Sequence, residues 1–208
     1  MKFCVFLYDG MEPIDLATFG VLSMAKRVKP SIEITTIAPE PGLVTLANGL
    51  RVLADHGYAD APVFDVLVVG GGPGWVGQAE NPATLDFLQR AASSHQIVSV
   101  CTGGLILAAA GILDGKRATT KQATVPPEIP PLSVMRDRYP AIRAESASVV
   151  DEGGIVTGGG VTLCIDTMLY VLSTRLGEKV ATETARIIEY SRAWEANRAA
   201  LPVIRSGA

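Results

Sequence analysis

Short, wholly apolar runs alternate along the chain with longer segments whose apolar positions recur at helical spacing. Phe3–Tyr8 is apolar at every position and reads as a strand buried on both faces. Asp9 and Gly10 turn the chain. Asp15–Lys26 then places Leu16, Phe19, Val21, Leu22 and Ala25 on one helical face, with Pro30 marking the end. Ile32–Ala38 predicts a second strand. Val44–Ala47 and Leu50–Ala54, joined around Asn48-Gly49, predict a hairpin appended to the sheet. Asp65–Val69 is the next strand, Pro82–Ser93 the next helix and Ile97–Val100 the strand after it. Thr102-Gly103-Gly104 opens a strongly apolar helix to about Gly111. Lys116–Thr120 reads as a short strand, and Pro126, Pro127, Pro130 and Pro131 predict an irregular stretch. Ser146–Val150 and Gly154–Thr157 form a second hairpin around Asp151-Glu152-Gly153. Gly158-Gly159-Gly160 leads into a helix over Val161–Leu176, and one last helix covers Glu178–Ala199.

Strands alternating with helices are the signature of a parallel sheet with crossover helices. Nothing resembling a linker, repeat or low-complexity tract interrupts them, so residues 1–208 are expected to form one α/β domain. Composition sharpens this. With 208 residues, 48% hydrophobic and 19% charged, the chain is large enough for a core without staples and too apolar for disorder. A net charge of −3 and the absence of any basic run exclude an electrostatic nucleic-acid footprint. The apolar run after Lys2 is too short for a signal-peptide core, and no segment approaches the roughly 18 uncharged apolar residues of a membrane helix. A soluble, cytoplasmic protein with no membrane or nucleic-acid partner is expected. Three cysteines, an odd number, do not make a disulfide framework.

The string IVSVCTGGLILAAAG holds the strongest candidate for chemistry. A buried strand ends at Val100, Cys101 occupies the turn, and two glycines let a helix start at once. A residue held at such a strand-to-helix elbow is aimed outward, as in serine hydrolases. The helix start beneath it is expected to favour thiolate over thiol and so make Cys101 a nucleophile. The plainer alternative is a buried structural cysteine, the reading adopted for Cys4 and Cys164. Gly70–Gly74 lies at the carboxyl end of a strand, where open sheets place ligands and where bare amides could hold a developing anion. It is not a Walker loop, and Gly158-Gly159-Gly160 is expected only to let loop and helix pack closely. Histidines occur only at positions 56 and 95, outside any motif, so neither a Cys–His dyad nor a zinc site is visible and no cofactor is implied. The proton partner of Cys101 should then be a carboxylate. Asp15 and Glu12, in DGMEPIDLATFG after the first strand, lie at the same sheet end. Asp15 could equally be a helix N-cap and Glu12 a solvated surface group.

The segments YDGMEPIDLATFGVL, VVGGGPG, VCTGGLILAAAGILDGKRATT and IVTGGGVTLCID together resemble the ThiJ/PfpI superfamily, which has a class I glutamine-amidotransferase-like fold. The resemblance covers nearly the whole chain. It implies a single-domain flavodoxin-like parallel sheet sandwiched by helices, assembled as a homodimer. The sequence is most similar to isocyanide hydratases and to the amidase-like domains of AraC-type regulators. That match implies Cys101 as nucleophile, Asp15 as acidic partner and Thr102 as a hydrogen-bonding neighbour. The amides of Gly72 and Thr102 would bind developing charge. By position, Gly71, Ile14, Trp75 and Leu163 are candidates to lie beside the substrate, and Trp75 could equally pack at a dimer interface. The expected activity is hydration of small apolar electrophiles, isocyanides, to N-formamides. The alternatives are an oxidant sensor using Cys101 and an activity on reactive aldehydes or amides. Thr102 stands where PfpI-type peptidases have histidine, which argues against proteolysis. Lys121 stands where many relatives have histidine. The closing segment IIEYSRAWEANRAAL is a charged helix and not the proline-rich tail associated with hydratases, a departure from that branch. With no helix-turn-helix after it, an AraC-type regulator is not expected.

Overall fold

The computed structural model describes residues 1–206. In chain order the elements are β1 (Lys2–Phe6), a 3-10 turn (Pro13–Leu16), α1 (Ala17–Val28), β2 (Glu33–Ile37), β3 (Gly42–Thr45) and β4 (Arg51–Ala54). Then come β5 (Val66–Val69), α2 (Trp75–Glu80), α3 (Pro82–Ala92), β6 (Gln96–Ser99), α4 (Gly103–Ala109), β7 (Arg117–Ala118) and α5 (Pro131–Arg138). The remainder is β8 (Arg143–Ala144), β9 (Val149–Asp151), β10 (Ile155–Gly158), α6 (Leu163–Leu176), α7 (Glu178–Ile187), α8 (Ser191–Ala200) and β11 (Val203–Arg205).

The central sheet runs β11-β9-β10-β6-β5-β1-β2. From β2 to β10 it is parallel, with Val5 paired to Thr36 on one side and Val68 on the other. Four of the five residues of β1 and all four of β5 and β6 are buried, which is why β1 after Lys2 and β5 read as unbroken apolar runs. The expected second hairpin, β9–β10, forms and makes the sheet mixed rather than wholly parallel. Beyond it β11 adds a parallel edge strand that the sequence reading missed, a three-residue segment too short to carry a period. The β3–β4 hairpin is a separate two-stranded sheet, and β7 pairs only with β8 instead of joining the central sheet.

Helices flank the sheet in two groups. In one, α1, α6 and α7 pack on each other, and in the other α4 packs with α2, α3 and α5. Three helical expectations need correction. The stretch around Pro126–Pro131 is not irregular throughout, because Pro131 starts α5 at the first helical position, where its missing N–H is not needed. The expected final helix is broken into α7 and α8 by Glu189, at φ +57. Asp15 does not begin a long α-helix. It sits in the 3-10 turn ahead of α1, with Pro13 at that turn's start.

Parallel strands deliver their carboxyl ends to one edge of the sheet. The loops after β1, β5 and β6 therefore converge there, and they carry Asp15, Gly71 and Cys101.

Candidate active site

Cys101 occupies the turn between β6 and α4 with φ +52, a left-handed conformation rare for a side-chain-bearing residue. Such a conformation costs of the order of 1–3 kcal/mol and survives only where its surroundings hold it. Here the Cys101 N–H donates to the Gly159 carbonyl at 3.2 Å, and its own carbonyl accepts from the Thr120 hydroxyl at 2.6 Å. Gly71 and Gly160 close the remaining space. A Cβ on Gly71 would lie 2.3 Å from the Thr102 nitrogen, and one on Gly160 would lie 2.9 Å from Sγ. The second glycine cluster thus packs against the cysteine as well as against α6, where Gly158 meets Thr167.

Asp15 is fully buried. Its Oδ2 accepts the Gly71 N–H at 2.6 Å, a bond spanning 56 residues, while Oδ1 has no hydrogen-bond partner. The carboxyl does not cap α1, as a local reading would allow, because the Pro13–Leu16 turn points it across to the β5 loop. That turn is itself tied down by the Glu12 N–H donating to the Gly71 carbonyl at 2.8 Å. Burial is the main reason the Asp15 carboxyl rises from 3.8 to about 6. The Gly71 amide opposes the rise, Glu12 adds to it, and the nearby thiol and Lys121 oppose it.

The Cys101 thiol is only 3% exposed, and burial followed by the Asp15 charge pushes it up to about 12. The Thr102 amide, the Lys121 ammonium and the Thr102 hydroxyl pull in the other direction without prevailing. Burial thus works against the lowered thiol expected from the helix start. Desolvation outweighs the dipole of α4, which has only seven residues. Burial and the Asp15 charge both favour the neutral thiol at Cys101.

Cys101, Thr102, Gly72, Ile14 and Trp75 line one cavity of about 490 Å³, together with Glu12, Pro73, Lys121, Glu128 and Val161. Asp15 lies beneath it. Gly71 is buried behind the cavity, and its N–H serves the Asp15 carboxyl. The Gly72 N–H donates to Thr102 Oγ1 at 2.8 Å, so the donor against the sulfur is the Thr102 amide. Leu163 does not line the cavity. It packs toward Gly159, and Val161 takes the place expected for it. Trp75, the first residue of α2, is half-buried at the wall.

Sequence reasoning missed Glu128, Pro73 and Val161, and it noted Lys121 only as a departure from relatives. Lys121 Nζ donates to both Glu128 oxygens, at 2.9 and 3.2 Å. A Lys and a Glu seven residues apart across a proline-rich loop leave no periodic signal. The two histidines lie elsewhere: His56 pairs with Asp60, and the His95 ring packs on Phe64. Among the described residues no group of three His, Cys, Asp or Glu side chains is placed to hold a metal ion, and no helix is long and apolar enough to cross a membrane.

The isonitrile hydratase of Pseudomonas putida is 36% identical over 187 residues, 88% of this chain and 74% of that protein. The transcriptional regulator GlxA of Rhizobium meliloti is 30% identical over 158 residues, 74% of this chain but 45% of the regulator. Among solved structures, a ThiJ/PfpI family protein from Pseudomonas syringae superposes with a TM-score of 0.78 at 26% identity, covering 91% of this chain and 74% of that one. Drosophila melanogaster DJ-1beta shares the fold, with a TM-score of 0.74 at 21% identity over 90% of this chain and 97% of its own. The family model described as DJ-1/PfpI matches residues 1–174. On these grounds, the chain belongs to the DJ-1/PfpI family.

Proposed function

We propose that the protein hydrates isocyanides to N-formamides, with Cys101 as nucleophile and Asp15 as the group that moves the proton. One observation carries the reading. A protonated thiol and a desolvated carboxyl with an unpartnered oxygen meet beneath a cavity whose walls include Ile14, Pro73, Trp75 and Val161. An isocyanide is compact, apolar and weakly charged, and its terminal carbon accepts a nucleophile and a proton in turn. It needs no pre-formed thiolate, only a carrier between sulfur and carbon. A carboxyl near 6 is suited to that exchange at neutral pH.

Asp15 takes the thiol proton as sulfur bonds to the isocyanide carbon, then gives that proton to the same carbon. The product is a thioimidate, R–N=CH–S–Cys101. Water adds across its C=N bond, and the resulting adduct loses the cysteine as thiol to leave R–NH–CHO. The sum is isocyanide plus water giving formamide, with the enzyme unchanged. The similarity to an isonitrile hydratase at 36% identity supports this substrate class. The oxidant-sensor alternative fits less well, because oxidation proceeds through an accessible thiolate and this thiol is buried and raised. We further place the enzyme in the cytoplasm as a homodimer, in keeping with its three free cysteines and an exposed apolar surface around Phe19 and Leu53.

Intact-mass spectrometry after acid quenching tests the covalent step. Wild type mixed with an aryl isocyanide should gain the mass of one isocyanide, mapped to Cys101, and Cys101→Ser should not. Formamide release by a wild type that never carries the adduct would refute the nucleophilic role.

A further inference from the structure

The proposed hydration needs a second acid. Asp15 spends its proton on carbon, and it is then a carboxylate suited to accept a proton from the attacking water. The nitrogen of the thioimidate must still be protonated as water adds, and a carboxylate cannot do this. The cavity offers one group of the right kind. Lys121 carries the only cationic side chain lining it among the described residues, and neither histidine reaches it.

Its placement is built rather than incidental. The Lys121 side chain is 19% exposed and is held by both oxygens of Glu128. The loop between them is closed at its base by the Leu132 N–H donating to the Lys121 carbonyl at 3.1 Å. Glu128 is fixed in turn by its N–H to the Val125 carbonyl and by the Thr124 hydroxyl to its own carbonyl, both at 3.0 Å. An ammonium has three donors, and two contacts to Glu128 leave at least one N–H for the cavity. The walls bear two carboxylates, Glu12 and Glu128, against this single cation. That balance disfavours an anionic substrate and leaves the ammonium to a neutral nitrogen.

Resting on the hydratase reading, we propose that Lys121 is a further catalytic residue, the acid that protonates the substrate nitrogen while water adds to the thioimidate. As Asp15 accepts a proton from water, hydroxide bonds to carbon, the C=N π pair moves to nitrogen, and nitrogen takes a proton from Lys121. The tetrahedral adduct R–NH–CH(OH)–S–Cys101 then returns its hydroxyl proton to the Lys121 amine as the C–S bond breaks. Asp15 reprotonates the departing sulfur, and all three groups regain their starting states.

The test compares wild type, Lys121→Met and Lys121→Arg, following formamide by absorbance and the Cys101 adduct by quenched intact mass, with circular dichroism to verify folding. Both variants should still form the adduct and accumulate it, while formamide release slows by about 100-fold, the scale of a lost general acid. Arginine keeps the charge and the ion pair but does not deprotonate, so it separates proton delivery from positioning. Normal release by Lys121→Arg, or by both variants, would overturn the proposal. A wild type that forms neither adduct nor formamide would defeat the hydratase reading itself, and the role of Lys121 with it.

Discussion

At the scale of single residues, the site rests on two groups held in conformations they would not choose alone. Cys101 sits at positive φ, and Asp15 is buried with one oxygen unpartnered. The burial of Asp15 has a measurable consequence for stability. Its folded-state value, about 6, lies above its ordinary 3.8, so the native protein binds the proton more tightly than the unfolded chain. Native stability therefore falls as pH rises from about 4 to about 6 and is unaffected by this group below that window. Asp15→Asn removes the penalty while keeping an oxygen for the Gly71 N–H. Urea unfolding should find the variant more stable than wild type by up to about 3 kcal/mol at pH 7.5, with the difference vanishing near pH 3.5. Equal stability at both pH values would mean that the carboxyl is hydrated. Cys101 and Asp15 were legible in the sequence because each follows a buried strand, at the edge where such strands end. The raised thiol was not legible, because desolvation depends on Gly160 and on the walls closing over the sulfur. The pairing of Lys121 with Glu128 was also hidden, since only the folded loop brings them together.

Among the elements, the strands were the most legible, and β1 and β5 read directly as short apolar runs. The failures have local causes. Residues 178–199 keep a charged, helical composition throughout, so nothing in their pattern announces the break between α7 and α8. The backbone makes it with a Schellman cap: the Tyr190 N–H reaches the Ala185 carbonyl at 2.8 Å and the Glu189 N–H reaches that of Arg186 at 3.1 Å. Glu189 occupies the position where glycine is usual, which is why the signal is absent from the sequence. The break lets α8 fold back, so that the Tyr190 hydroxyl and Asn197 Nδ2 both reach the Asp166 carboxylate on α6. Because Glu189 is exposed and bears φ +57, Glu189→Gly should raise stability by about 0.5–1 kcal/mol in denaturant titration. A loss of that size would indicate that the glutamate side chain contributes something the cap geometry does not.

For the whole molecule, the alternation of strand and helix identified the fold class, and the quoted motifs identified the family. The edge strand β11 lay outside that reading because so short a strand carries no period, whereas the β9–β10 hairpin beside it was expected. Assembly belongs to this scale as well. Leu7, Leu16, Phe19, Val52 and Leu53 share an apolar groove, with Phe19 37% and Leu53 69% exposed. If this face joins two copies, Phe19→Asp combined with Leu53→Asp should convert a dimer to a monomer in sedimentation velocity, and an unchanged dimer would place the interface elsewhere. The central claim concerns chemistry, and steady-state formamide production from an aryl isocyanide tests it most directly. Wild type should turn over many times, Cys101→Ala should be inactive, and Asp15→Asn should lose at least about 100-fold. An inert wild type, or turnover that survives in Cys101→Ala, would contradict the account.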